Sequence, residues 1–228
     1  SFVAVFLLFS IVFASASDLG ITDMVNTTGV SVNPAASFPG SFKVNNINAA
    51  ETLFSIDLSS TPFMGPNTVP ASAIVFSPDP ITSILPNGSQ TVSFTVTMPA
   101  NQIPGTYAGT ITAADPLLNS TTTPMSFTVN TLQKVEVTDH SESNPLTLTS
   151  EESTTVTDVF TIKNNGNVDL SFTSSSITHN IDLSDGDGDL ITLAFSSIPA
   201  ALTPGSTDQI TATANIANNV DIGTYSGT

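Results

Sequence analysis

Apolar residues alternate with polar ones along most of this chain, the two-residue period of a strand with one face buried. The run Val92, Phe94, Val96, Met98 is the clearest case, and Ile210, Ala212, Ala214, Ile216 echoes it downstream. Clusters of Pro, Gly and Asn separate such runs, and no window of a dozen residues carries a 3.6-residue apolar period. The pattern predicts strands over 19–25, 41–44, 52–58, 73–76, 90–98, 105–113 and 125–129. It predicts further strands over 132–138, 146–148, 154–162, 169–173, 177–183, 190–195, 207–216 and from Thr224 onward. Short strands at this density, each bounded by turn residues, point to a Greek-key β-sandwich.

One block recurs. Ile103-Pro104-Gly105-Thr106-Tyr107-Ala108-Gly109-Thr110 returns as Asp221-Ile222-Gly223-Thr224-Tyr225-Ser226-Gly227-Thr228, a shift of 118 positions. The alternating runs above are related by the same shift, and Asn45-Asn46-Ile47-Asn48 matches Asn164-Asn165-Gly166-Asn167 at 119. A period of this length is one whole domain, not a solenoid turn. The chain therefore reads as a leader over 1–16, a first sandwich over 17–130 and a second, incomplete one over 131–228. Its second sandwich reads as cut off mid-motif, so the sequence is expected to be a fragment of a longer protein. Donation of the missing strand by a neighbouring subunit is the alternative. The junction between Val129 and Val135 is short, which favours a semi-rigid, extended array.

The recurrent block opens a strand after a loop. A tyrosine there, Tyr107 or Tyr225, forms a tyrosine corner by bonding its hydroxyl to the backbone of the preceding loop. Gly105 and Gly223 suit the tight turn, while Gly109 and Gly227 mark a bulge or a close contact.

The residues before the first domain have a different character. An apolar run from Phe2 to Phe13 precedes Ala14-Ser15-Ala16, the core and cleavage site of a secretory signal peptide that lacks its front. Cleavage after Ala16 is expected, with a shortened membrane anchor as the competing reading; the run is too short to span a bilayer as a helix. Export fits the charge. Asp and Glu number 19 against three lysines (Lys43, Lys134, Lys163) and no arginine, a net charge of −16. Such a surface repels phosphate backbones and excludes nucleic acid as a partner. Without cysteine the sandwiches have no disulfide.

Phe160-x-Ile162-x-Asn164-Asn165-Gly166-Asn167, then Leu202-Thr203-Pro204-Gly205-Ser206, then the Gly-Thr-Tyr block resemble the Ig-like modules of prokaryotic secreted and surface proteins. The domain associated with bacterial alpha-galactosidases is one of these, and such modules are common in archaeal surface proteins. The first domain carries Phe42-Lys43-Val44-Asn45-Asn46-Ile47-Asn48, with Ile47 where the pattern favours Gly, and Leu85-Pro86-Asn87-Gly88-Ser89. The resemblance implies an all-β fold of two tandem Ig-like Greek-key sandwiches acting as spacers or adhesion units.

Candidate chemistry is sparse. Asp182 precedes Asp185, Asp187 and Asp189, which stand at the 1, 3 and 5 spacing of a calcium loop. Leu190 then takes the glycine position and Ser196 the place of the bidentate Glu, so a solvated hairpin tip is the simpler reading. Calcium is the one cofactor the sequence leaves open. Glycosylation sequons begin at Asn26, Asn87 and Asn119, in a number chance alone supplies. His140 and His179 have no cysteine near them to build a zinc site, and no phosphate-binding glycine loop occurs. The expected function is a non-enzymatic structural, spacer or adhesion module of an exported prokaryotic cell-surface protein. Its partners are neighbouring domains of the same longer chain, with like subunits or cell-envelope components beyond them. A self-assembling surface-layer or filament subunit is one alternative, and an accessory carbohydrate- or peptide-binding module of a secreted hydrolase is another.

Overall fold

The computed structural model describes residues 18–117, 119–141, 143–149, 154–173, 183–184, 190–218, 220–221 and 223–225. In the first repeat, alternation produces β1 (Leu19–Val25), β2 (Val30–Val32), β3 (Ser37–Asn46) and β4 (Leu53–Ser60). There follow β5 (Phe63–Met64), β6 (Thr68–Val69), β7 (Ile74–Ser77) and β8 (Ile81–Ile84). The longest strands close the repeat: β9 (Ser89–Thr97), β10 (Gly105–Ala114) and β11 (Ser120–Val129). One sheet has the order β1-β3-β9-β7; the other has β2-β11-β10-β4-β8, with the β5-β6 hairpin attached to β10. Consecutive strands cross between the sheets except for β4 to β6 and the β10-β11 hairpin, and the inward residues of both sheets form one continuous core. Phe38 on β3 meets Phe127 on β11 across it at 5.6 Å between ring centres. The fold is an all-β sandwich.

Several strands run farther than the breakers in the sequence allow. The pattern starts the second predicted strand at Ser41 because Pro39 and Gly40 precede it, yet β3 begins at Ser37. β1 reaches only as far as Ser41, so Pro39 faces no partner on that side that needs an N–H. Asn26 Nδ2 reaches the Pro39 carbonyl instead, at 2.9 Å. Gly40 lies opposite Phe94, whose ring covers it; a Cβ there would stand 2.2 Å from Cζ. Pro124 sits inside β11 for the same reason as Pro39, because β2 pairs with β11 only from Phe127 to Val129. The hairpin β5-β6 and strands β2 and β8 are too short, or too close to Pro and Asn, to stand out as alternation.

The second repeat places β12 (Val135–Val137), β13 (Thr155–Asn164), β14 (Leu170–Ser171) and β15 (Leu183–Ser184). Then come β16 (Leu190–Ser196), β17 (Ala201–Leu202) and β18 (Thr207–Asn215). The order β12-β13-β18-β16-β15 makes one sheet, and β14-β17 a second. β13 and β18 begin and end 118 residues after β3 and β9, so the sequence period is also the strand period. Among the described residues the second core consists of two small clusters, one around Ile162, Leu202 and Ile210, the other around Ile191, Ala214 and Val220. Ala212 and Ala214 occupy the places of Phe94 and Val96, which thins the packing.

Two expectations need correction. The predicted strand 146–148 is not a strand; Leu148 packs against the cluster of Ile191, Ala214 and Val220. Thr224 and Tyr225 are not in a strand either, and the rest of that predicted run, 226–228, lies outside the described residues. Of the two readings of Gly109, the close contact holds and the bulge does not, since β10 pairs with β11 continuously from Gly105 to Ala114. The Phe63 ring lies over Gly109, 2.8 Å from where a Cβ would be. Most of the predicted strand 177–183 lies outside the described residues.

Candidate functional site

The repeated motif is built from two polar anchors at opposite ends of each repeat. At the end of β3, Asn46 is buried and its side chain is bonded three times. Its Nδ2 donates to the carbonyls of Glu51 (2.7 Å) and Ile84 (3.0 Å), and its Oδ1 accepts from Asn48 N (2.9 Å). At the end of β13, Asn164 does the same. Nδ2 donates to the Val168 and Leu202 carbonyls, both at 2.8 Å, and Oδ1 accepts from Gly166 N at 2.8 Å. Ile84 closes β8 and Leu202 closes β17, so each asparagine ties one sheet to the other. The backbone follows suit: Asn46 N donates to Gly88 O and Asn164 N to Ser206 O, each at 3.0 Å.

These bonds correct the motif alignment. Asn46 corresponds to Asn164, Asn48 to Gly166 and Gly88 to Ser206, all at 118, so the offset of 119 was one residue too long. Asn48, not Ile47, therefore stands at the place of Gly166. Asn87 and Gly205 correspond as well, and both have positive φ, 53° and 79°. The role of Asn46 and Asn164 was legible only as a shared Phe-x-(Val/Ile)-x-Asn spacing; nothing in the sequence says that the amide crosses between sheets.

The second anchor lies at the other end. Tyr107 is fully buried, and its hydroxyl donates to Ile103 O at 2.7 Å. Tyr225 donates to Asp221 O at 2.8 Å. Both bonds reach back four residues into the loop before the tyrosine. Tyr107 stacks on Phe127 at 5.8 Å, and its hydroxyl also meets the Asn67 side chain, as does the Gln102 carboxamide.

Other candidate groups are scattered. Asp182, Asp185, Asp187 and Asp189 lie outside the described residues, as does His179. Among the described residues no group of three or more His, Asp or Glu gathers to hold a metal. His140 Nε2 stands 4.0 Å from Asp139, and its Nδ1 has no partner among the described residues. Asp139 itself accepts Thr161 N with both oxygens, at 2.9 and 2.8 Å, and those bonds hold its carboxyl below the ordinary range. A shallow cleft of about 480 Å³ opens between β4 and β7, lined by Leu58, Ser60, Ile74, Phe76 and Asp79 among others. Its one carboxylate accepts Leu58 N at 3.1 Å and has no acid–base partner among the lining residues.

The three sequons differ in availability. Asn26 Nδ2 is engaged by Pro39 O, and Asn119 Nδ2 by Asp115 Oδ2 at 2.9 Å. Asn87, exposed at the tip of a turn, makes no side-chain hydrogen bond among the described residues. It is the open acceptor of the three.

No helix among the described residues is long and apolar enough to cross a membrane. No family model matches the chain, and no curated protein does. Solved structures with a similar course include a family 123 glycoside hydrolase from Clostridium perfringens, at 17% identity and a TM-score of 0.39, over 50% of this chain and 27% of the hydrolase. A PapD-like domain of human CEP192 matches at 17% identity and 0.34, over 57% of this chain and 96% of that domain. The Escherichia coli chaperone DraB matches at 14% and 0.32, over 92% and 88%. The chain spans about a quarter of the hydrolase's length.

Proposed function

We propose that the chain is a pair of Ig-like modules with a structural role, spacing or adhesion, in an exported prokaryotic surface protein. One observation carries this reading. The side chains that recur at the 118-residue period, Asn46 with Asn164 and Tyr107 with Tyr225, bond chiefly to their own backbone. A repeat that preserved a binding or catalytic site would instead leave its recurring polar groups facing a cleft. Support also comes from the apolar leader, the acidic surface and the resemblance to prokaryotic surface modules. On this reading the chain needs no cofactor and no active site.

Sedimentation velocity on residues 17–228, in calcium and in chelator, tests the reading. An elongated monomer in both conditions is the expected result. Calcium-dependent oligomers would replace the spacer by a self-assembling surface-layer subunit.

A further inference from the structure

The corner end of the first repeat meets the Asn-turn end of the second, and one buried side chain lies between them. Asn167 is 2% exposed. Its Oδ1 accepts from Leu132 N at 2.7 Å, and its Nδ2 donates to Gln102 O at 2.8 Å and to Asn130 O at 2.9 Å. The three partners belong to three different pieces: the linker, the loop before Tyr107, and the residue that follows β11. Both N–H groups and the oxygen of the carboxamide are therefore used at this contact.

The surroundings are fitted to it. Asn167 N donates to Leu132 O at 2.9 Å and Asn165 N to Lys134 O at 2.8 Å, which lays the linker along the turn. Gly166 has no room for a side chain, because a Cβ would stand 2.3 Å from Leu132 O. Across the joint, Asn101 Nδ2 lies 2.8 Å from where Gly205 would carry a Cβ. Gln102 is itself buried, and its side chain meets Asn67 beside Tyr107. The joint is thus continuous with the first repeat's tyrosine anchor. Buried carbonyls left without a donor are costly, so one orientation satisfies this contact and others do not.

This arrangement is not a general property of the repeat. At the period of 118, the place of Asn167 is held by Ala49. Neighbouring Asn48 turns its amide to Asp18 at 3.0 Å and its oxygen to Ala50 N and Glu51 N within its own turn.

We infer that Asn167 fastens the first module to the second and holds the pair in a single relative orientation. The docking surface is heterologous, corner loop against Asn turn, so the partner that fits it is the corner end of a like module. The inference depends on the spacer reading for its purpose and not for its geometry.

The chain has no cysteine, so Thr95→Cys and Gln209→Cys place one spin label on the exposed face of each module. Pulsed electron–electron double resonance on residues 17–228, in samples that sedimentation shows to be monomeric, gives the distance distribution between modules. A single narrow distribution is expected, broadening at least twofold in Asn167→Ala and in Asn167→Asp. The aspartate keeps an acceptor for Leu132 N and loses both donors, so it carries the test if the alanine variant does not fold. Asn165→Ala keeps the backbone N–H that bonds Lys134 O and loses only a side-chain bond to Glu136, so it is expected to leave the width unchanged. A broad distribution in the parent, or a narrow one in a folded Asn167 variant, overturns the inference. Oligomers seen by sedimentation would count against the spacer reading alone.

Discussion

Asn46 shows how much one buried amide can hold. Replacing it with alanine removes three hydrogen bonds and leaves the Glu51 and Ile84 carbonyls without their donor. The expected loss is at least about 2 kcal/mol in chemical denaturation; a loss within error would mean that the sheets are tied elsewhere. Tyr107→Phe removes one hydroxyl from a fully buried ring that otherwise keeps its packing. A loss of about 1 kcal/mol is expected, and no measurable change would show that the corner bond contributes nothing to stability. Gly40→Ala acts through volume. The methyl group would enter the Phe94 ring, so overpacking of about 1–3 kcal/mol is expected from its melting curve.

Strands that look interrupted in the sequence are continuous in the sheet wherever the breaker falls on an unpartnered side, as at Pro39 and Pro124. The converse holds at 146–148, where Leu148 packs against a core cluster without pairing. Side chains finish ladders too. Thr138 N donates to Thr161 O at 3.0 Å, and the Asp139 carboxylate then takes Thr161 N in place of a backbone carbonyl. Because these bonds lower the folded-state pKa, their contribution is present above the unfolded aspartate value, near pH 4. It is lost as pH falls through the folded value. Asp139→Asn is therefore expected to melt below the parent at neutral pH, with the gap closing under acid; a gap independent of pH would remove the carboxylate from this role.

As a whole the molecule is an acidic surface around two unequal cores. Lys43 meets Asp23 at 2.7 Å, an exposed pair that contributes little in salt. Most of the negative charge thus has no cation to answer it, and calcium or ionic strength is the natural variable. Replacing Asp185, Asp187 and Asp189 by Asn separates the two readings of the acidic loop. With a calcium site, calcium raises the parent's melting temperature and not the variant's; with a solvated hairpin tip, the two respond alike.

Alternation and turn residues determined the all-β class, the period of 118 and the inward residues of β9 and β18, because burial on one face of a strand leaves a two-residue trace in the chain. The hydroxyl anchor of the tyrosines was legible for a similar reason: its partner is only four residues away. The asparagine ties were not, since Asn46 reaches 38 residues to Ile84. Nor was the joint, where Asn167 collects carbonyls 65 and 37 residues distant. A buried amide records no periodicity and has no preferred spacing. Which carbonyls it satisfies is decided only when the sheets close and the two modules meet.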